Sequence, residues 1–142
     1  MTSNTAFTGG CHCKSVSYTV QDMPMVAGHC HCDNCKKLSG GGHTSMCAVS
    51  ADGFRTTGVV TTYMHVSDAG NTIHRHFCPT CGATAYIINE SMPNMVFLTA
   101  GSMDDMELFT PQMKVYVSRA PSWDHTDEAL ASFPEMAPIP GG

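Results

Sequence analysis

The chain has 142 residues, enough for one domain with a modest core. Charged residues are scarce at 13% and the formal net charge is −5, so no basic stripe can neutralise a row of phosphates and nucleic-acid binding is not expected. No apolar run approaches the ~18 residues of a membrane span, and Met1–Phe7 lacks the basic and apolar segments of a secretory leader. The expectation is a cytoplasmic protein without membrane contact. In that reducing setting eight cysteines point to metal or catalysis rather than cross-links.

Helical periodicity is weak, and Gly and Pro recur at short intervals. Strand signals are frequent. In chain order they cover Ser15–Val20, which alternates polar and apolar, then Ser45–Ser50 and the β-branched stretch from Gly58 to Val66. A hairpin turn at Asp68-Ala69-Gly70-Asn71 follows, then strands at Thr72–Phe77, Ala85–Ile88, Asn94–Ala100 and Lys114–Val117. One short helix is expected near Asp33-Asn34-Cys35, with Asp33 as its N-cap, and another over Asp127–Ser132. The end, Pro134–Gly142, reads as an irregular tail. Many short strands with close turns predict one all-β domain over 1–142, with its core at about 7–125.

Seven of the eight cysteines form three clusters. Cys11 and Cys13 make a Cys-x-Cys pair, expected on an incoming strand, and Cys78 and Cys81 a Cys-x2-Cys turn. Together these four thiolates can close a tetrahedral structural zinc site, and metal binding would then be part of the folding free energy. A rubredoxin-like iron is the weaker alternative. The middle cluster, Cys30, Cys32 and Cys35, offers three sulfurs only. A zinc there keeps one position open for water or substrate, which is the mark of a catalytic site. Two other readings stay open: a second closed site completed by His29, His31 or His43, and three free thiols. Cys47 reads as a packed core thiol. His43, after the flexible Gly40-Gly41-Gly42, is the candidate general acid/base.

These residues resemble the glutathione-dependent formaldehyde-activating family, which includes centromere protein V. The resemblance runs from Gly9 to about Trp123. It rests on Gly9-Gly10-Cys11-His12-Cys13, on Gly28-His29-Cys30-His31-Cys32-Asp33-Asn34-Cys35-Lys36-Lys37-Leu38-Ser39-Gly40, on Phe77-Cys78-Pro79-Thr80-Cys81-Gly82, and on Gly101-Ser102-Met103-Asp104-Asp105. It implies a β-tent of short antiparallel sheets around the structural zinc. It places Cys11, Cys13, Cys78 and Cys81 on the structural ligands and Cys30, Cys32 and Cys35 on the active-site ligands. It also implies two zinc ions per chain and a carbon–sulfur lyase that joins formaldehyde to glutathione as S-hydroxymethylglutathione. Two stretches depart from the family pattern. Gly41-Gly42-His43 stands where an aromatic is usual, and Gln112-Met113-Lys114-Val115-Tyr116 lacks the usual His before Ile-Trp.

The expected function is therefore a zinc-dependent lyase, or a related enzyme, acting on a thiol, thioether or reactive carbonyl compound. Its partner is a small molecule such as glutathione or another thiol, and the chain is a monomer or homodimer. The alternatives are a non-catalytic zinc-stabilised binding module, or an enzyme of specialised metabolism on a non-glutathione substrate.

Overall fold

The structure is a computed structural model and describes residues 5–138. The start of the N-terminal stretch and the last four residues of the Pro/Gly-rich tail lie outside that range. Eleven strands and one α-helix follow in order: β1 (Phe7–Gly10), β2 (Ser17–Val20), β3 (Val26–Cys30), α1 (Asp33–Ser39), β4 (Thr44–Ser50), β5 (Phe54–Thr57), β6 (Thr61–Val66), β7 (Thr72–Phe77), β8 (Thr84–Asn89), β9 (Met95–Thr99), β10 (Met113–Val115) and β11 (Ala131–Ser132). The all-β class expected from the strand pattern is what the chain adopts.

The strands form two sheets. The smaller has the order β1-β2-β5 and the larger β11-β10-β3-β4-β9-β8-β7-β6. Pairing is antiparallel except at β10, which runs parallel to both β3 and β11. Alternation in sequence becomes alternation in burial. On β2, Tyr18 and Val20 point inward, and on β9 Val96 and Leu98 do so. β4 instead buries Cys47, Ala48 and Val49 in a row, as a central strand covered on both faces must. Phe7, Tyr18 and Val20 of the small sheet meet Cys47, Val49, Val96 and Leu98 of the large one, and this contact is the main core. A second apolar cluster gathers Cys11, Val16, Cys78 and Ala85.

The Gly-Ser-Met-Asp-Asp stretch ties the two sheets together. Ser102 Oγ donates to the Thr99 carbonyl and lies 2.7 Å from the Tyr18 hydroxyl. Thr8 Oγ1 donates to Asp104 Oδ2 at 2.6 Å, and the Asp104 N–H returns a bond to the Thr8 carbonyl.

Several local expectations are corrected. Asp127–Ser132 is no helix: Leu130 N–H closes a turn on the Asp127 carbonyl, and Ala131–Ser132 then pairs along the outer edge of β10. That edge offers unpaired backbone groups, and a short segment without helical periodicity satisfies them. The strand at Lys114–Val117 begins one residue earlier and ends at Val115, because Tyr116 adopts a left-handed conformation (φ 55°) and Val117–Arg119 turns. Cys11 and Cys13 lie just beyond β1, on a turn rather than on the strand. Cys32, not Asp33, caps α1: its sulfur accepts the Cys35 N–H at 3.3 Å, leaving Asp33 in the first turn. At the other end of α1, Gly40 takes φ +74°, a conformation a side chain would strain. The expected hairpin turn at residues 68–71 is present, with Ser67 N–H bonded to the Asn71 carbonyl.

Candidate functional site

The turn after β1 and the knuckle between β7 and β8 bring Cys11, Cys13, Cys78 and Cys81 together, all four sulfurs within 4.8 Å of one another. Cys13 Sγ lies 3.7 Å from Cys11 Sγ and 3.6 Å from Cys78 Sγ. Four sulfurs around one tetrahedral zinc, at ~2.3 Å from it, stand about 3.8 Å apart. The cluster therefore fits the metal closely. Backbone donors already point at the sulfurs: Val16 N–H at Cys11 (3.3 Å), and Thr80 and Cys81 N–H at Cys78 (3.4 Å each). Such bonds stabilise thiolates. The Ser15 hydroxyl, 3.2 Å away, pulls the Cys78 thiol down to about 5.

Cys30 ends β3, Cys32 caps α1, and Cys35 sits buried one turn on. The sequence forces this: a strand end, a cap and the first helical turn place three sulfurs within 4.8 Å. Sulfurs this close cannot all ionise separately. Hydrogen bonding from Cys30, then from Cys35, pulls Cys32 down to about 2, while the same bond to Cys32 pushes Cys30 up to about 12. Cys35 is raised as well, first by Cys30. Three soft sulfurs this close are a donor set that suits a soft divalent cation.

A cavity of about 270 Å³ opens on this cluster. Cys30, Cys32 and Cys35 all line it, and none of the four outer cysteines does. Its walls are mostly apolar side chains from β3, β4, β7, β8, β9 and β10. Two groups missed by sequence reasoning lie in the wall, His65 of β6 and Tyr116. Both ring nitrogens of His65 are buried and without a hydrogen-bond partner among the described residues. Nothing in the local sequence distinguishes His65, which sits on an otherwise exposed strand. Cys47 is buried as expected and also borders the cavity, and burial pushes its thiol up to about 11.

His43 is outside the cavity lining. Its Nδ1 lies 2.7 Å from Asp124 Oδ2, and the fully buried His31 places its own Nδ1 3.1 Å from the same oxygen. His31 Nδ1 is also 3.1 Å from the Gly42 carbonyl. Asp124 can approach because Gly42 has no side chain; a Cβ there would stand 2.5 Å from Asp124 Cβ and Cγ. His31, His43 and Asp124 can in principle hold a cation. Yet two donors on one tetrahedral zinc at ~2.0–2.1 Å stand about 3.3 Å apart, and the contacts with Asp124 are hydrogen-bond distances. The group is a hydrogen-bonded anchor for the C-terminal segment. His29 lines the cavity, keeps Nδ1 2.8 Å from Ser45 Oγ, and meets the His43 ring edge-on at 4.6 Å. His74 pairs with Glu90 and His76 with Thr62, on the far strands.

The fold and the site define an all-β protein with two cysteine clusters able to hold metal, one away from the cavity and one facing it. A family model described as glutathione-dependent formaldehyde-activating enzyme matches residues 6–119. The chain belongs to that family, as its motifs suggested. No curated protein matches it. Among solved structures, the crystal structure of a Rhodobacter sphaeroides protein superposes with a TM-score of 0.57 at 17% identity, over 89% of this chain and 98% of that one. At that identity the likeness concerns the fold alone. No helix among the described residues is long and apolar enough to cross a membrane.

Proposed function

We propose that this chain is a zinc-dependent carbon–sulfur lyase that joins a thiol to a carbonyl carbon and reverses the same step. The observation that carries the reading is the unequal setting of the two clusters: four sulfurs away from the cavity, three sulfurs lining it. Cys11, Cys13, Cys78 and Cys81 would hold a structural zinc. Cys30, Cys32 and Cys35 would hold the second. A zinc on three thiolates supplies positive charge that acidifies a thiol or polarises a carbonyl.

The reaction balances without an oxidant or reductant. The thiol loses its proton, its sulfur forms a bond to the carbonyl carbon, the C=O π pair moves to oxygen, and that oxygen takes up a proton. The product is a hemithioacetal, and the lyase direction retraces the path. The chain's part is to hold the reactants together in a mostly apolar cavity, where orientation accounts for much of the acceleration. Proton handling falls to the histidines that line the cavity, His29 and His65, ahead of His43, which is oriented by Asp124 outside it.

Elemental analysis of the purified protein should find two zinc ions per chain. Exchange between a thiol, formaldehyde and their hemithioacetal, followed by NMR, should be accelerated by the wild type and not by Cys32→Ser, with circular dichroism unchanged. A Cys32→Ser protein with the wild-type rate would overturn the assignment.

A further inference from the structure

Glutathione carries two carboxylates and an ammonium, and burying such charges without partners costs several kcal/mol each. Its lining includes Asn34, Ser67, Asn71 and Asn89 but holds no cation to receive the carboxylates. None of the chain's seven Lys and Arg lines it. The nearest cations are engaged elsewhere. Arg119 pairs with Asp68 at the cavity edge, reaches Asp33 at 3.7 Å and lies over the Tyr116 ring. Lys36 donates to the Arg119 carbonyl and pairs with Asp33, and Lys114 donates to Thr126. The one carboxylate in the lining, Asp68, is neutralised by that arginine and would repel an anion otherwise.

What the cavity offers is apolar surface: Met46, Ile73, Ile87, Phe97, Met113 and Val115. Unbranched methionines adapt to irregular shapes, and a volume near 270 Å³ sits close to the ~300 Å³ lower end of small-molecule sites. Among the described residues of this wall, one buried polar side chain lacks a hydrogen-bond partner. His65 presents two buried ring nitrogens with no bond, and it lines the same cavity as Cys32. A buried polar group without a partner calls for one.

From these observations, and resting on the lyase reading above, we infer that the cavity takes an uncharged, apolar thiol whose sulfur reaches Cys30, Cys32 and Cys35, whose body packs on the methionine-rich wall, and whose carbonyl adduct places its one hydroxyl on His65. The step is the one already balanced: the S–H proton leaves, the C–S bond forms, and the hydroxyl of the adduct exchanges one hydrogen bond with the imidazole. Glutathione would have to leave both carboxylates unmatched.

The test compares benzyl mercaptan with glutathione on the zinc-loaded full chain, by calorimetry for binding and by NMR for exchange with formaldehyde. Benzyl mercaptan should bind at least about tenfold more tightly, a difference of ~1.4 kcal/mol. His65→Leu should weaken the formaldehyde adduct about tenfold while His65→Gln, which keeps a hydrogen-bonding group, recovers most of it. Val66→Lys, at a rim position that is 67% exposed, should raise glutathione affinity relative to benzyl mercaptan. Turnover that prefers glutathione would overturn this inference and leave the lyase reading standing. Failure of both thiols to bind or react would overturn both.

Discussion

Cys13 Sγ stands 3.6 Å from Cys78 Sγ, although 65 positions separate the two residues in the chain. The contact closes a loop that contains β2 to β7. An ion shared by these sulfurs therefore carries folding free energy, because the unfolded chain cannot assemble the site. The cluster around Cys32 is local: its three sulfurs span six residues, and the backbone holds them without help from a distant segment.

This difference sets the first expectation. Cys78→Ser, or chelation of the purified protein, should unfold the chain or lower Tm by more than about 15 °C, whereas Cys32→Ser should cost less than about 5 °C. Thermal melts by circular dichroism separate the two. Equal losses would mean that the central cluster is as structural as the outer one.

Gly42 and Gly41 should respond in opposite ways to the same added methyl group. At Gly42 a Cβ meets Asp124 at 2.5 Å, so Gly42→Ala must displace the carboxylate from His31 and His43, at a cost of about 1–3 kcal/mol. At Gly41 the nearest atom is Ser39 Oγ at 3.6 Å, so Gly41→Ala should lie within about 0.5 kcal/mol of wild type. Urea unfolding of both variants checks the contrast, and the imidazole NMR signal of His43 should move in the first variant alone.

Leu98 is fully buried between the sheets, among Tyr18, Val49 and Val96. Leu98→Ala should destabilise by about 3 kcal/mol, the sum of lost transfer energy and the void left behind. For a chain of this size that is a fall of roughly 10 °C in Tm. A loss below about 1 kcal/mol would show that this core collapses around the gap.

Tyr18 sets an alkaline limit. Burial, against a smaller opposing effect of the Ser102 hydrogen bond, pushes its hydroxyl from 10 up to about 12. The folded state thus keeps the proton after the unfolded chain has lost it. The stabilisation is complete below pH 10 and disappears as pH rises through 12, by up to about 3 kcal/mol. The difference in urea stability between wild type and Tyr18→Phe should narrow over that window. A constant difference from pH 9 to 12 would show that Tyr18 does not drive it.

A strand with clean alternation, such as β2, was legible in the sequence because one face of its pleat, Tyr18 and Val20, is buried in the core. β3 was not, since Val26-Ala27-Gly28-His29-Cys30 shows neither alternation nor β-branched enrichment and is held by pairing with β4 and β10 on either side. The supposed helix at 127–132 failed for another reason: the segment has no helical periodicity to hold it, and an open strand edge lay within reach. Asp124 left no trace in the sequence, because its role depends on a glycine 82 positions earlier making room for it.

The sequence by itself determined which side chains can hold metal. Ligand chemistry is a property of residue type, and two cysteines two or three positions apart stay close in any fold. Tertiary structure alone decided what surrounds those ligands. Strand order brings β7 to β10 around the Cys30 cluster and leaves the Cys11 cluster to its own knuckle. Which sulfurs face open space, which histidine faces them, and whether a charge could follow are consequences of pairing between strands far apart in the chain. No local pattern encodes that pairing, because it is selected by the burial of whole sheet faces at once.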